Sequence, residues 1–240
     1  MSQYETLRRT GAQAAAIDEG LRAYMNRVYG LMAFAMVVTG AVAYVIGSSP
    51  ALLQAIFGTP LKWVVMFAPL AVVFAFSAMI NRMSAATAQL VFWGFAALMG
   101  ASISFIFAVY TSISIAQTFF ATAIGFGALS LYGYTTKKDL SGMGAFLLMG
   151  LIGLIVASIV NIFVGSSALQ FAISVIGVLI FAGLTAYDTQ QIKNEYLGMA
   201  AAGPEGQAYL EKGAIMGALR LYLDFINMFM FLLQFLGNRE

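Results

Sequence analysis

The sequence predicts an all-α membrane protein, a bundle of seven transmembrane helices with the last helix central. Three observations carry this. Hydrophobic residues make up 61% of the 240 and charged residues only 9%, with mean hydropathy +0.88, whereas a water-soluble domain carries about 25% charge on average. Several separate apolar runs reach the ~20 residues that cross ~30 Å of hydrocarbon. Nearly all charges fall in the gaps between those runs. The ~10-residue alternating segments of a membrane barrel are absent.

Taken in order, residues 1–27 read as a polar N-terminal tail with Arg8, Arg9, Arg22 and Arg27. No signal-peptide order of charged, apolar and cleavage regions is present. The first apolar run, Val28–Gly47, is long enough to stay as a span. Trp63–Ile80 follows a loop with Pro50 and Pro60. Then come Thr87–Phe107, Ile113–Gly133, Met143–Val164, Leu169–Tyr187 and Ala214–Gly237, which makes residues 28–237 one transmembrane domain and 238–240 its C-terminal end. If the N-terminus is cytoplasmic, the inside segments hold the four tail arginines, Arg82, Lys137, Lys138, Lys193 and Lys212. The outside segments hold only Lys62 and Arg239. The positive-inside rule therefore favours a cytoplasmic N-terminus and an outside C-terminus. Small residues at helical spacing, such as Gly94 with Gly100 and Gly213 with Gly217, read as close-packing sites between helices.

Composition also excludes functions. A net charge of +2 without a basic, aromatic-interleaved cluster argues against nucleic acid. Cysteine and histidine are both absent, which removes disulfides, thiolate chemistry and the commonest metal ligand and pH-sensing side chain. Any proton sensing must use carboxylates. Catalysis is not expected, since two aspartates would allow only an aspartyl protease and LYLDFINMF lacks the Gly-rich motif such a site uses.

Two aspartates stand out. Asp188 ends the sixth apolar run in GLTAYDTQQIK, and Asp224 lies inside the seventh in LYLDFINMF. A carboxylate at the centre of a membrane helix costs roughly 2.5–3.5 kcal/mol on insertion scales, so such residues mark function. On a helix, Gly213, Gly217, Arg220, Asp224, Asn227 and Gln234 share one face. Gln170, Ser174, Thr185, Asp188 and Gln191 do the same on the preceding span, with Gly177 and Phe181 between them. The depths are compatible if the sixth helix runs on to about Asn194, which puts Asp188 ~9 Å and Asp224 ~15 Å in. At ~4 Å and an effective dielectric of ~20, two ionised carboxylates repel by ~4 kcal/mol. The pair should then keep one shared proton up to about neutral pH, titrating as a unit. Doubly ionised, it offers hard oxygens suited to transient Ca²⁺. Two plainer readings compete: Asp224 paired with Arg220 one turn earlier, and Asp188 as a boundary residue that merely reaches water.

GLTAYDTQQIK and LYLDFINMF, with SLYGYTTKKDLSG at Ser130–Gly142 and NIF at Asn161–Phe163, resemble the signature of the Bax inhibitor-one family, also called TMBIM. The resemblance covers the chain from about Val28 onward and is nearest to bacterial inner-membrane members. It implies a seven-helix bundle with the last helix surrounded by six, acting as a pH-sensitive Ca²⁺ leak channel. Asp188 and Asp224 match the family's paired-aspartate sensor. Arg82 matches an arginine near the end of the second helix that latches onto an aspartate. An acidic residue found in the second helix of some members is missing here, because Trp63–Ile80 contains none. Arg220 is a candidate counter-charge from spacing alone. No cofactor is implied, with Ca²⁺ and protons as the permeant or sensed ions and the lipid bilayer as surroundings. Two other functions remain open: a membrane-embedded regulator of other membrane proteins such as proteases, and a proton-coupled cation transporter.

Overall fold

The computed structural model describes residues 2–200 and 202–238, with side chains for 17–200, 202 and 206–238. Among the described residues there is no strand. Eight helices follow one another: α1 (Ser2–Gly47), α2 (Pro50–Phe57), α3 (Leu61–Met79), α4 (Ala85–Ile103), α5 (Ser112–Thr135), α6 (Ser141–Val164), α7 (Ser167–Met199) and α8 (Gly203–Leu236). Short 3₁₀ turns, Ile80–Arg82 and Ser104–Ala108, extend α3 and α4. All except α2 are long and apolar enough to cross a membrane. The chain is an integral membrane protein.

Local chemistry sets the breaks. Ser84, Thr111 and Ser166 each accept a backbone N–H of the turn they precede, from Thr87, Ser114 and Leu169, as N-caps do. Pro50 opens α2, where its missing N–H costs nothing. Gly165 ends α6 at φ +63°, a left-handed stop that glycine adopts without strain.

Three boundaries differ from the hydropathic reading. The polar tail is continuous with the first span: α1 is one helix, and Leu21, Tyr24 and Met25 are buried in the core. The tail's side chains up to residue 16 lie outside the described residues. The sixth span continues to Met199, well beyond Tyr187, because Thr189, Gln190 and Ile192 bury against protein rather than lipid. The last helix likewise starts at Gly203, not Ala214.

The last helix is central. Of its apolar window 61% is buried, against 17–33% for the other spans. It packs along α7, with α1, α5 and α4 completing its surroundings. Encirclement by all six is not observed: α6 leans on α7 and α3 on α4, and neither packs extensively on α8. Without a hydrophobic drive between helices, contact relies on small residues and buried hydrogen bonds. A Cβ on Gly133 would strike the backbone of Ala186, and one on Gly100 the backbone of Thr39. Tyr222 of α8 is fully buried, with Phe92 and Phe95 edge-on at 5.9 and 5.8 Å. Its hydroxyl donates to Thr39 Oγ1 (2.6 Å), which itself donates to the Ala96 carbonyl (2.8 Å).

Candidate functional site: a paired-carboxylate cleft

Because α3 and α6 each lean on a neighbour of α8 rather than on α8 itself, a cleft of about 590 Å³ remains between them. Its walls are mostly apolar, including Leu70 and Val73 of α3 and Leu154, Ile155 and Ile159 of α6, with Ser158 the polar exception. Its floor, formed by α7 and α8, carries Asp188, Asp224, Arg220 and Asn227. The two polar faces read from the sequence meet here.

The carboxyl groups of Asp188 and Asp224 lie within hydrogen-bonding reach of each other. Asp224 is 4% exposed, and no amide or hydroxyl donor reaches its buried Oδ2. Asp188 is half-buried. Two carboxylates in such contact can hydrogen-bond to each other only when one of them carries a proton.

Arg220 does not pair with Asp224. Its Nη1 donates to Glu195 Oε1 at 2.8 Å, an ion pair about one-third exposed on the arginine side. It still lines the cleft, and its charge acts on both aspartates. Asp188 does not end its helix, because α7 runs three turns past it. Arg82 lies exposed in the turn after α3 and does not line the cleft.

Of the other polar-face residues, only Asn227 lines the cleft. Its amide donates to the Leu223 carbonyl (2.8 Å), leaving the amide oxygen uncommitted to that bond. Thr185 is buried and turns its hydroxyl back to the Phe181 carbonyl (2.8 Å), the usual resolution for a threonine inside a helix. Gln191 donates to the Tyr187 hydroxyl (2.9 Å). Toward the far end of the two faces, Asn161 donates to Gln170 (3.0 Å) and Gln170 to Gln234 (2.8 Å), beside a second pocket of about 370 Å³.

Among the described residues no three acidic groups cluster as a metal site. Two carboxylates and one amide oxygen fall short of the six to eight oxygens a resident Ca²⁺ takes.

Three residues that shape the site or hold its neighbours escaped the sequence reading. Glu195 continues the α7 polar face two turns beyond Asp188, where hydropathy had already ended the span. Gln190 accepts the Leu140 N–H and donates to the Lys138 carbonyl, both at 2.8 Å, tying the α5–α6 turn to α7. Phe231 occupies the α8 polar face between Asn227 and Gln234, a signal visible as an apolar interruption of the stripe.

Comparison with known proteins adds the following. The family model described as "Inhibitor of apoptosis-promoting Bax1" matches residues 21–240. An uncharacterized protein of Rickettsia prowazekii, RP147, is 47% identical over 240 residues, all of both chains. A protein of Caulobacter vibrioides is 48% identical over 235 residues, 94% of this chain and 92% of that one. The inner membrane protein YbhL of Escherichia coli K12 is 47% identical over 222 residues, 92% of this chain and 94% of that one.

Proposed function

Because the chain belongs to the family of inhibitors of apoptosis-promoting Bax1, we propose that it is a passive cation leak, chiefly for Ca²⁺, regulated by a proton shared between Asp188 and Asp224. The observation that supports this reading is the meeting of those two carboxyls in a cleft lined mostly by apolar side chains. Below the midpoint the pair is hydrogen-bonded and carries one negative charge. Above it the pair carries two, and a repulsion of ~4 kcal/mol at ~4 Å must be relieved by separation, by Arg220 or by a bound cation. Glu195, held to Arg220, competes for the one guanidinium at the cleft. The E. coli relative's name, together with the distribution of Lys and Arg, favours the bacterial inner membrane, N-terminus cytoplasmic and C-terminus outside.

The test is purified protein in liposomes with an internal Ca²⁺ dye, read across pH. Wild-type flux changes with a midpoint between about pH 6 and 8. Asp188→Asn and Asp224→Asn keep size and a hydrogen bond but remove the mutual repulsion, so each abolishes the midpoint. The double variant adds little, since the pair acts as a unit. If both single variants keep the wild-type pH profile, the shared proton is not the regulator.

A further inference from the structure

The polar faces of α7 and α8 are both interrupted at the same level. On α8 the face runs Arg220, Asp224 and Asn227, then Phe231, then Gln234. On α7 it runs Gln170 and Ser174, then Gly177 and Phe181, before polar residues resume at Thr185. The interruptions face each other. The Phe231 ring lies along Phe181, centroids 6.0 Å apart and planes 26° from parallel. It also crosses Gly177 so closely that a Cβ there would sit 2.6 Å from a ring carbon. Gly177 is the notch that admits the ring.

By its position on α8 this packing lies between Asn227, which lines one space, and Gln234, which lines another. The cleft of about 590 Å³ holds the aspartates and is lined by Phe231 itself. The pocket of about 370 Å³ holds the Gln170 and Gln234 amides. They share no lining residue. Amide and carboxyl oxygens can replace the water around a cation, whereas an aromatic ring offers nothing in exchange and closes a narrow path by dewetting. Phe181 is buried, while Phe231 is only half-buried.

We propose that Phe231, seated in the Gly177 notch against Phe181, is a hydrophobic plug separating the carboxylate cleft from the amide-lined pocket, and that its displacement joins the two into one aqueous path for a cation. The proposal deepens the leak reading and rests on it for the identity of what passes.

The chain contains no cysteine, so single cysteines report water access without background. Asn238→Cys identifies the membrane face nearest the pocket; Ser167→Cys, an exposed residue lining the pocket, lies on that side of the plug and Asn227→Cys, lining the cleft, on the other. A membrane-impermeant maleimide added to that face should label Ser167→Cys readily and Asn227→Cys at least about tenfold more slowly. Adding Phe231→Ala should remove the protection, and Phe231→Leu, which keeps an apolar side chain, should preserve it. Gly177→Ala, which pushes the ring out of its notch, should expose Asn227→Cys as well and covers the case in which Phe231→Ala does not fold. In liposomes Phe231→Ala should raise Ca²⁺ flux about tenfold at the least conductive pH, equivalent to ~1.4 kcal/mol of barrier. Equal labelling of both positions with Phe231 present, or protection that survives Phe231→Ala and Gly177→Ala, overturns the plug. The labelling requires no flux. A wild type that leaks nothing at any pH but shows the expected labelling overturns the leak and keeps the plug. A pH-dependent leak with Asn227→Cys unprotected does the reverse.

Discussion

The helices α8 and α6 cross the same bilayer and invert the rule that governs water-soluble cores. The most apolar of the seven spans, α6, is also the least buried, with 17% of its window covered. The polar α8, with Arg220, Asp224, Asn227 and Gln234 along one face, is the most buried at 61%. Lipid is as apolar as leucine, so apolar side chains gain little by turning inward and polar ones gain a great deal. Burial here is driven by the need to find partners for polar atoms. Exposed aliphatic and aromatic side chains along α6, Ile162 and Phe163 above all, are in contact with their proper solvent.

That contrast predicts a gradient of mutational cost. The steepest loss should come from Tyr222→Ala, which empties a fully buried site and removes one of the two hydrogen bonds of Thr39; we expect about 3–5 kcal/mol, read as thermal unfolding of the purified protein in detergent. A Tyr222→Ala protein as stable as wild type would break the comparison at its strongest point. Next, Gln170→Leu removes the link between Asn161 and Gln234 and should cost about 1 kcal/mol, the scale of interhelical hydrogen bonds in membranes. An increase in stability on that substitution would mean the polar partners are replaceable by packing. At the far end, Phe163→Ala on the exposed surface of α6 should stay within about 0.5 kcal/mol. A larger loss there would show that α6 has a protein neighbour.

Much of this was legible in the sequence, for reasons that also explain the gaps. Span number followed from apolar run length, and the centrality of α8 followed from its one-sided polar face. The Asp188–Asp224 meeting followed from two such faces on consecutive helices. Hydropathy measures likeness to lipid, however, and falls silent where a polar stretch stays helical by packing against protein. That is why Thr189, Gln190 and Ile192 were assigned to no span, and why Glu195, the residue that holds Arg220, was overlooked. Arg82 was placed by resemblance and a position near the end of a helix. Spacing alone could not say that the turn at Ile80–Arg82 leaves it exposed, while Arg220, one helical turn from Asp224, reaches the cleft. The direction of Arg220 was likewise hidden: an i to i+4 relation to Asp224 suggests a pair, and a neighbouring helix supplied a better one.

The hold of Gln190 on the Lys138–Leu140 turn has a mechanical side. Both ends of one amide are committed to that turn, and α6 begins immediately after it and rests on α7 along its length. The pair α6–α7 therefore behaves like one jaw of a caliper, with α3 and its support α4 as the other. A slide or tilt of α7 carries α6 with it, so the gap between the jaws widens or narrows by the movement of a single hinged part. Distance labels on α3 and α6, both on the lipid-facing rim, would then read the position of α7 from outside the protein.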